Sequence, residues 1–265
     1  MRLTTIGTGA AAPDPARVNA GHLVEAGDVR LLLDCGSGVV HRMAGLGLDW
    51  SSITHVALTH FDADHVSDLA TLFVAWRWGQ LPARSAPVTV LGPPGTASLL
   101  ERLAAALWDK LLAPGYAVHV QEMSPGERVT LGEVTIESRK VPHTAESVAY
   151  SVEHAGRRVV YTGDTAADAT FGAWAAGCDL LLAECSLPAA MAVPSHLTPE
   201  QVGALAGDAS PALLVLTHFY PPVYRVDVPG IVARHFAGPV VLAHDGFQVD
   251  VGTLPTPVAR RRTPE

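Results

Sequence analysis

Six consecutive residues, His60-Phe61-Asp62-Ala63-Asp64-His65, hold four side chains able to ligate a metal, and they follow directly on a short apolar run at residues 55–59. Two imidazoles and two carboxylates packed this closely are costly to bury without a cation, because each charged group loses its hydration. The fold must therefore turn this loop toward solvent or toward a cation, and a cation draws further ligands from elsewhere. In an irregular loop His60 and Asp62 can point the same way, while Asp64 and His65 diverge from the start of the following helix. Partners stand at the ends of other apolar runs: His143 after Val141-Pro142, Asp164 in Tyr161-Thr162-Gly163-Asp164, and His218 in Val215-Leu216-Thr217-His218. Strand ends on one edge of a sheet converge on one crevice, so these residues can share a site despite their separation. A single strand-end histidine is ordinarily structural, and a single Asp after Gly is ordinarily a turn residue. Seven such residues in this order predict a metal centre, with imidazole and carboxylate ligands suited to Zn, Mn or Fe.

The rest of the chain must supply those strand ends. Apolar runs predict strands at 3–6, 29–33, 55–59, 88–91, 134–140, 148–153, 159–162, 180–183, 213–217 and 240–243. Helices are expected at 66–78, 96–112, 171–176, 199–208 and 228–236, the fourth opened by Thr198 as N-cap and Pro199 in the first turn. Strands that pair like hairpins early and alternate with helices late imply a mixed sheet system flanked by helices. No composition break divides the chain, so 1–252 reads as one domain and 253–265, proline-rich and basic, as a loose tail. The N-terminus lacks a signal-peptide core and no run of 18 apolar residues occurs, so a cytoplasmic protein is expected. Cys35, Cys178 and Cys185 form no Cys-x-x-Cys pair and read as buried free thiols. Gly7-Thr8-Gly9-Ala10-Ala11-Ala12 has the outline of a dinucleotide loop, with Asp34 about where a ribose-binding acid would stand. Pro13 and Pro15, however, interrupt the helix that such a loop must open. The glycines are read instead as a tight turn between strands.

The same residues make the sequence resemble the metallo-β-lactamase fold superfamily, whose signature is His-x-His-x-Asp-His followed by an isolated His, an isolated Asp and a final His. The resemblance spans about residues 1–250. The opening Leu3-Thr4-Thr5-Ile6-Gly7-Thr8-Gly9, Leu33-Asp34-Cys35-Gly36, Leu91-Gly92-Pro93-Pro94-Gly95, Glu184 after Leu181-Leu182-Ala183, and Ser195-His196-Leu197-Thr198 are similar to its ribonuclease Z and phosphodiesterase/arylsulfatase-like branch. This resemblance implies an α+β fold, a four-layer αββα sandwich with every ligand at one edge. It implies that His60, Asp62 and His143 hold one metal, that Asp64, His65 and His218 hold a second, and that Asp164 bridges the two. It further implies hydrolysis by a metal-bound hydroxide, with Asp64 orienting or deprotonating the water and Glu184 with His196 protonating the leaving group. The implied cofactors are two divalent ions, Zn first, with Mn or Fe as alternatives.

The sequence departs from the family's pattern at two places. Asp62 stands where the family usually has histidine, and a hard anionic oxygen there shifts the first position toward Mn or Fe, or leaves only the second filled. An iron-dependent oxidoreductase, or a binding protein with a degenerate site, therefore stays open beside a hydrolase. The interval from His143 to Asp164 reads as a direct hairpin with no room for the long arm by which ribonuclease Z grips tRNA, and the formal charge is −8. The expected partner is accordingly a small-molecule ester, a phosphodiester first and a lactone or thioester as alternatives, rather than tRNA or a membrane; a homodimer is allowed. Trp76, Trp78 and Trp108 are expected in core or dimer contacts, with a pocket mouth as the alternative. The aromatics Phe219, Tyr220 and Tyr224 are expected to overlook the site. His244 is read as a substrate contact or a turn residue, and His22, His41, His55, His119, His154 and His235 as surface or packing residues.

Overall fold

The computed structural model describes residues 1–254. Strands β1 (Arg2–Gly7), β2 (Gly21–Ala26), β3 (Val29–Leu33), β4 (His55–Ala57), β5 (Val88–Gly92) and β6 (Val118–Glu122) build one sheet. The second sheet holds β7 (Arg128–Leu131), β8 (Val134–Lys140), β9 (Val148–His154), β10 (Arg157–Tyr161), β11 (Leu180–Glu184), β12 (Leu213–Thr217) and β13 (Val240–Leu242). The last strand, β14 (Phe247–Asp250), returns to pair antiparallel with β1 and completes seven strands in each sheet. Each sheet starts as an antiparallel meander and continues as parallel strands: β3 to β6 in the first, β10 to β13 in the second.

Apolar residues on alternate positions of both sheets fill the layer between them, among them Leu3, Leu31, Val134, Val152, Leu182 and Val215. The opposite faces bury helices. Against the first sheet lie α1 (Val39–Gly45), α2 (Ala63–Val66), α3 (Leu69–Trp78) and α4 (Thr96–Leu107); against the second lie α5 (Phe171–Ala175), α6 (Pro199–Ala209) and α7 (Val228–Val232). The result is the four-layer αββα sandwich that the resemblance implies. Strands buried on both faces, such as β11 with all five residues buried, read as unbroken apolar runs, which is why the sequence reveals them.

Four strands escape the sequence pattern. β6 and β7 are edge strands with exposed or half-buried residues, β14 alternates half-buried with exposed, and β2 opens on Gly21-His22, which interrupts its apolar run. The helix expected at 66–78 is two helices, because Asp68 N–H donates to the Cys35 carbonyl at 3.0 Å in place of the carbonyl four residues back, while its carboxylate accepts from Val40 N–H at 3.0 Å at the start of α1. α6 starts as the sequence indicates, with Thr198 and Gln201 forming a reciprocal capping box.

The glycines near the N-terminus make no tight turn. β1 and β2 are joined by a long connection that folds back on β1, and a Cβ on Gly7 would stand 1.8 Å from the Asn19 carbonyl oxygen. Close backbone approach, not turn conformation, requires glycine there. The three cysteines are free and buried, and among the described residues no helix is long and apolar enough to cross a membrane. Of the tail expected at 253–265, Thr253 belongs to a 3-10 turn, Val251–Thr253, and residues 255–265 lie outside the described residues.

Candidate metal centre

All seven residues singled out for metal ligation stand at one edge of the sandwich, beyond the C-terminal ends of strands from both sheets. The loop after β4 delivers His60 and Asp62, and the single turn of α2, with Asp62 as its N-cap, delivers Asp64 and His65. His143 follows β8, Asp164 follows β10 and His218 follows β12. Two of these placements use backbone that ordinary residues avoid. His218 has φ +58°, and Gly163, before Asp164, has φ +56° with the Thr59 side chain 2.9 Å from where a Cβ would be.

The ring centroids of His60 and His143 are 4.9 Å apart, although 83 positions separate them in the chain. The Asp62 carboxylate lies 3.5 Å from His60 Nε2 and 3.3 Å from His143 Nε2. Asp164 Oδ2 is 3.9 Å from each of those nitrogens and 3.3 Å from His218 Nε2, while its Oδ1 is 3.3 Å from His65 Nε2. Asp64 Oδ2 is 3.3 Å from His218 Nε2. Ligands at about 2.0–2.2 Å from one tetrahedral ion stand about 3.3–3.6 Å from each other, so the 3.3–3.5 Å separations suit ligands of a common ion, and Asp164 stands within reach of both groups.

Hydrogen bonding on the far side of each ring shows which atoms face the centre. His65 Nδ1 meets Asp34 Oδ2 at 2.8 Å and His143 Nδ1 meets the Ser195 carbonyl at 3.0 Å; both oxygens can only accept, so both Nδ1 atoms carry the proton. Thr59 Oγ1 donates to Asp34 Oδ2 and so accepts from His60 Nδ1 at 2.9 Å. Each of these rings therefore turns an Nε2 lone pair toward carboxylate oxygens. Lone pairs facing lone pairs repel unless a cation or proton lies between them. Consistently, His60 Nε2, His65 Nε2 and Asp164 Oδ1 are buried without a hydrogen-bond partner among the described residues. The donor set fits divalent metal ions, with two nitrogens and carboxylate oxygens at each position.

The charges respond as such a site requires. Burial opposes ionisation of Asp164, but His218, His65 and His60 hold its carboxyl well below the usual range. Burial likewise works against Asp64, which His218 and His65 nevertheless keep low. The His60 imidazole, and after it that of His143, draws Asp62 down to about 2. His65 is raised well above an ordinary histidine by Asp164 and Asp34 against the opposing effect of burial. In the metal-free chain a proton thus occupies the place that a cation would take.

Glu184 and His196 complete the edge. Glu184 ends β11 fully buried, and His196 Nδ1 lies 3.2 Å from each of its oxygens and 3.9 Å from Asp164 Oδ2. Despite burial, the Glu184 hydrogen bond and charge push His196 up to about 9. Tyr220 overlooks the site, with its ring 5.9 Å from His196 and 6.0 Å from His218. Phe219 and Tyr224 do not; Phe219 is fully buried, and the guanidinium of Arg17 lies over both rings.

Other sequence candidates stand elsewhere. Trp76 is core and donates to the Trp50 carbonyl, whereas Trp78 is 69% exposed beneath Arg77. His244 is a turn residue bonded to the neighbouring Asp245 carbonyl, while Asp245 itself holds Thr8 N–H and Val18 N–H. The residue that sequence reasoning underrated is Asp34. Its carboxylate, at φ +59° after β3, accepts from Thr59 N–H, Thr59 Oγ1, His65 Nδ1 and the Tyr161 hydroxyl. Asp34 thus orients His65 from behind. An aspartate ending a strand before Cys-Gly carries no local sign of that task.

Residues 29–219 match the β-lactamase superfamily domain. A ribonuclease Z of Mycobacterium sp. (strain KMS) is 31% identical over 276 aligned positions, covering 95% of this chain and 96% of the relative. Among solved structures, the metallo-β-lactamase fold protein YhfI from Bacillus subtilis superposes with a TM-score of 0.81 at 25% identity, over 94% of this chain and 98% of that one. The short form of human tRNase Z superposes at 0.78 with 22% identity, over 95% and 99%. These findings overturn the expectation that set tRNA aside in favour of a small-molecule ester. The mycobacterial ribonuclease Z is covered almost end to end. The argument from charge also fails at the site, because the −8 counts Asp62, Asp64 and Asp164, whose charge bound cations would offset.

Proposed function

This chain belongs to the metallo-β-lactamase superfamily, in its ribonuclease Z, phosphodiesterase and arylsulfatase-like branch, and from that premise we propose that it hydrolyses a phosphodiester bond of RNA, with tRNA precursors as the substrate class. As a metal-dependent hydrolase it uses divalent ions. We assign His60, Asp62 and His143 to one ion, Asp64, His65 and His218 to the other, and Asp164 to both, with Zn as the first candidate and Mn as the competitor. The observation that carries the reading is the convergence of imidazole Nε2 atoms and carboxylates around Asp164, beside the paired His196 and Glu184.

Bound divalent ions supply a lowered water pKa and positive charge for the attacking and leaving oxygens. The protein's own groups do the rest. Asp64, held ionised by His218 and His65, is placed to orient a water and take its proton. His196, pushed up to about 9 and steadied by Glu184, is placed to protonate the ester oxygen that leaves. Tyr220 flanks His196 on the open side and offers an aromatic face to a nucleobase.

The test is cleavage of an end-labelled, 3′-extended tRNA precursor by Zn- or Mn-loaded protein, with Asp164→Asn as the control. Hydrolysis that chelator abolishes and the variant loses supports the proposal. A fully metallated protein that leaves the precursor and other RNA phosphodiesters intact overturns it.

A further inference from the structure

Ser186 lies two residues beyond Glu184 and is fully buried. Its hydroxyl makes a short contact to Glu184 Oε2, a 3.0 Å contact to His218 Nδ1 and a 3.1 Å contact to the His218 carbonyl. A hydroxyl has one proton to give. The carboxylate and the carbonyl can only accept, whereas an imidazole Nδ1 can donate. The charge-assisted bond to Glu184 is the strongest claim on the serine proton. The serine oxygen is then the acceptor for His218 Nδ1–H, which leaves the Nε2 lone pair facing Asp64 and Asp164.

We propose that Ser186 is a positioning residue that ties the Glu184–His196 pair to the ligand His218, fixing the tautomer and the ring orientation of that ligand. This rests on the reading of His218 as a metal ligand. The two partners depend on Ser186 unequally. Glu184 also accepts from Thr165 N–H at 2.6 Å and Leu197 N–H at 3.2 Å, so it keeps its place without the serine. His218 Nδ1 has no acceptor other than Ser186 among the described residues. Loss of the hydroxyl therefore acts on the metal position that His218 serves and spares the other.

The tautomer can be read directly in Zn-loaded, 15N-histidine-labelled protein, from long-range proton–nitrogen couplings. Wild-type His218 is expected with its proton on Nδ1, and Ser186→Ala is expected to lose the slow exchange of that proton with water. In Zn titrations against a competing chelator, Ser186→Ala should weaken one of two sites by about 10- to 100-fold, and Ser186→Thr should restore it. An Nε2–H tautomer in the wild type, or two unaltered Zn affinities in Ser186→Ala, overturns the proposal. The wild-type spectrum decides even if the alanine variant does not fold. His218→Ala separates the two readings: if it binds both ions normally, the ligand assignment itself is wrong, whereas if it loses one and Ser186→Ala loses none, only the role of Ser186 falls.

Discussion

His22 offers a quantitative test of how the layer beneath the metal centre is built. It sits on β2, opposite Thr5 on β1 and Leu33 on β3, fully buried, edge-on to the Tyr161 ring at 5.0 Å. Among the described residues neither ring nitrogen has a hydrogen-bond partner. Burial, reinforced by His65 and His218 and only partly offset by Asp34, lowers its pKa from 6.5 to about 3. Between those values the unfolded chain binds a proton that the folded chain does not. Stability therefore falls as pH falls from 6.5 toward 3 and is level above about 7. At 1.4 kcal/mol per pKa unit, going from pH 7 to pH 5 costs the wild type about 2 kcal/mol through this residue alone. His22→Leu, apolar and of similar volume, removes the titration. Urea unfolding of both metal-free proteins at the two pH values isolates the effect, because the other titrating groups are common to both. The wild type should lose about 2 kcal/mol more than the variant on acidification. Equal losses within about 0.5 kcal/mol would refute a neutral, unpartnered His22.

Three further outcomes follow from the site. Asp62→Ala should lower occupancy of the first metal position while the second fills, and Asp62→His should retain both and shift preference from Mn toward Zn; metal-to-protein ratios under identical loading check both. Asp34→Asn should reduce metal affinity by about 10- to 100-fold with the folded state retained, because an amide cannot accept all four hydrogen bonds that Asp34 accepts; chelator competition and circular dichroism separate the two effects. Gly163→Ala should destabilise the fold by about 1–3 kcal/mol in chemical denaturation, from its positive φ and the contact with Thr59, and should lower metal affinity by displacing Asp164.

What was legible in the sequence were features that are local or obligatory. The ligand cluster at 60–65 is read from six adjacent residues, and β11 and β12 are read from apolar runs. The single ligands Asp164 and His218 are legible because each follows an apolar run, and His143 because it stands just beyond the alternating strand β8. What stayed hidden depends on contacts between distant segments. Asp34 acts on His65 across 31 positions and on Tyr161 across 127, and neither partner marks it in the sequence. The half-exposed edge strand β6 has an apolar pattern too sparse to separate it from loop. The predicted long helix breaks at Asp68, whose N–H bonds the Cys35 carbonyl 33 positions upstream, a contact that local propensity cannot register. The substrate was misjudged for a different reason: the missing arm and the net charge are properties of the chain at large, whereas the chemistry resides in a handful of side chains at one edge.

The central claim is that two cations share Asp164 at this edge. A crystal structure of Zn-loaded protein, with anomalous scattering recorded at the Zn edge, tests it most directly. The account predicts two anomalous peaks flanking the Asp164 carboxylate, one against His60, Asp62 and His143 and the other against Asp64, His65 and His218. A single peak at full loading, or peaks that leave Asp164 outside both coordination shells, would contradict it.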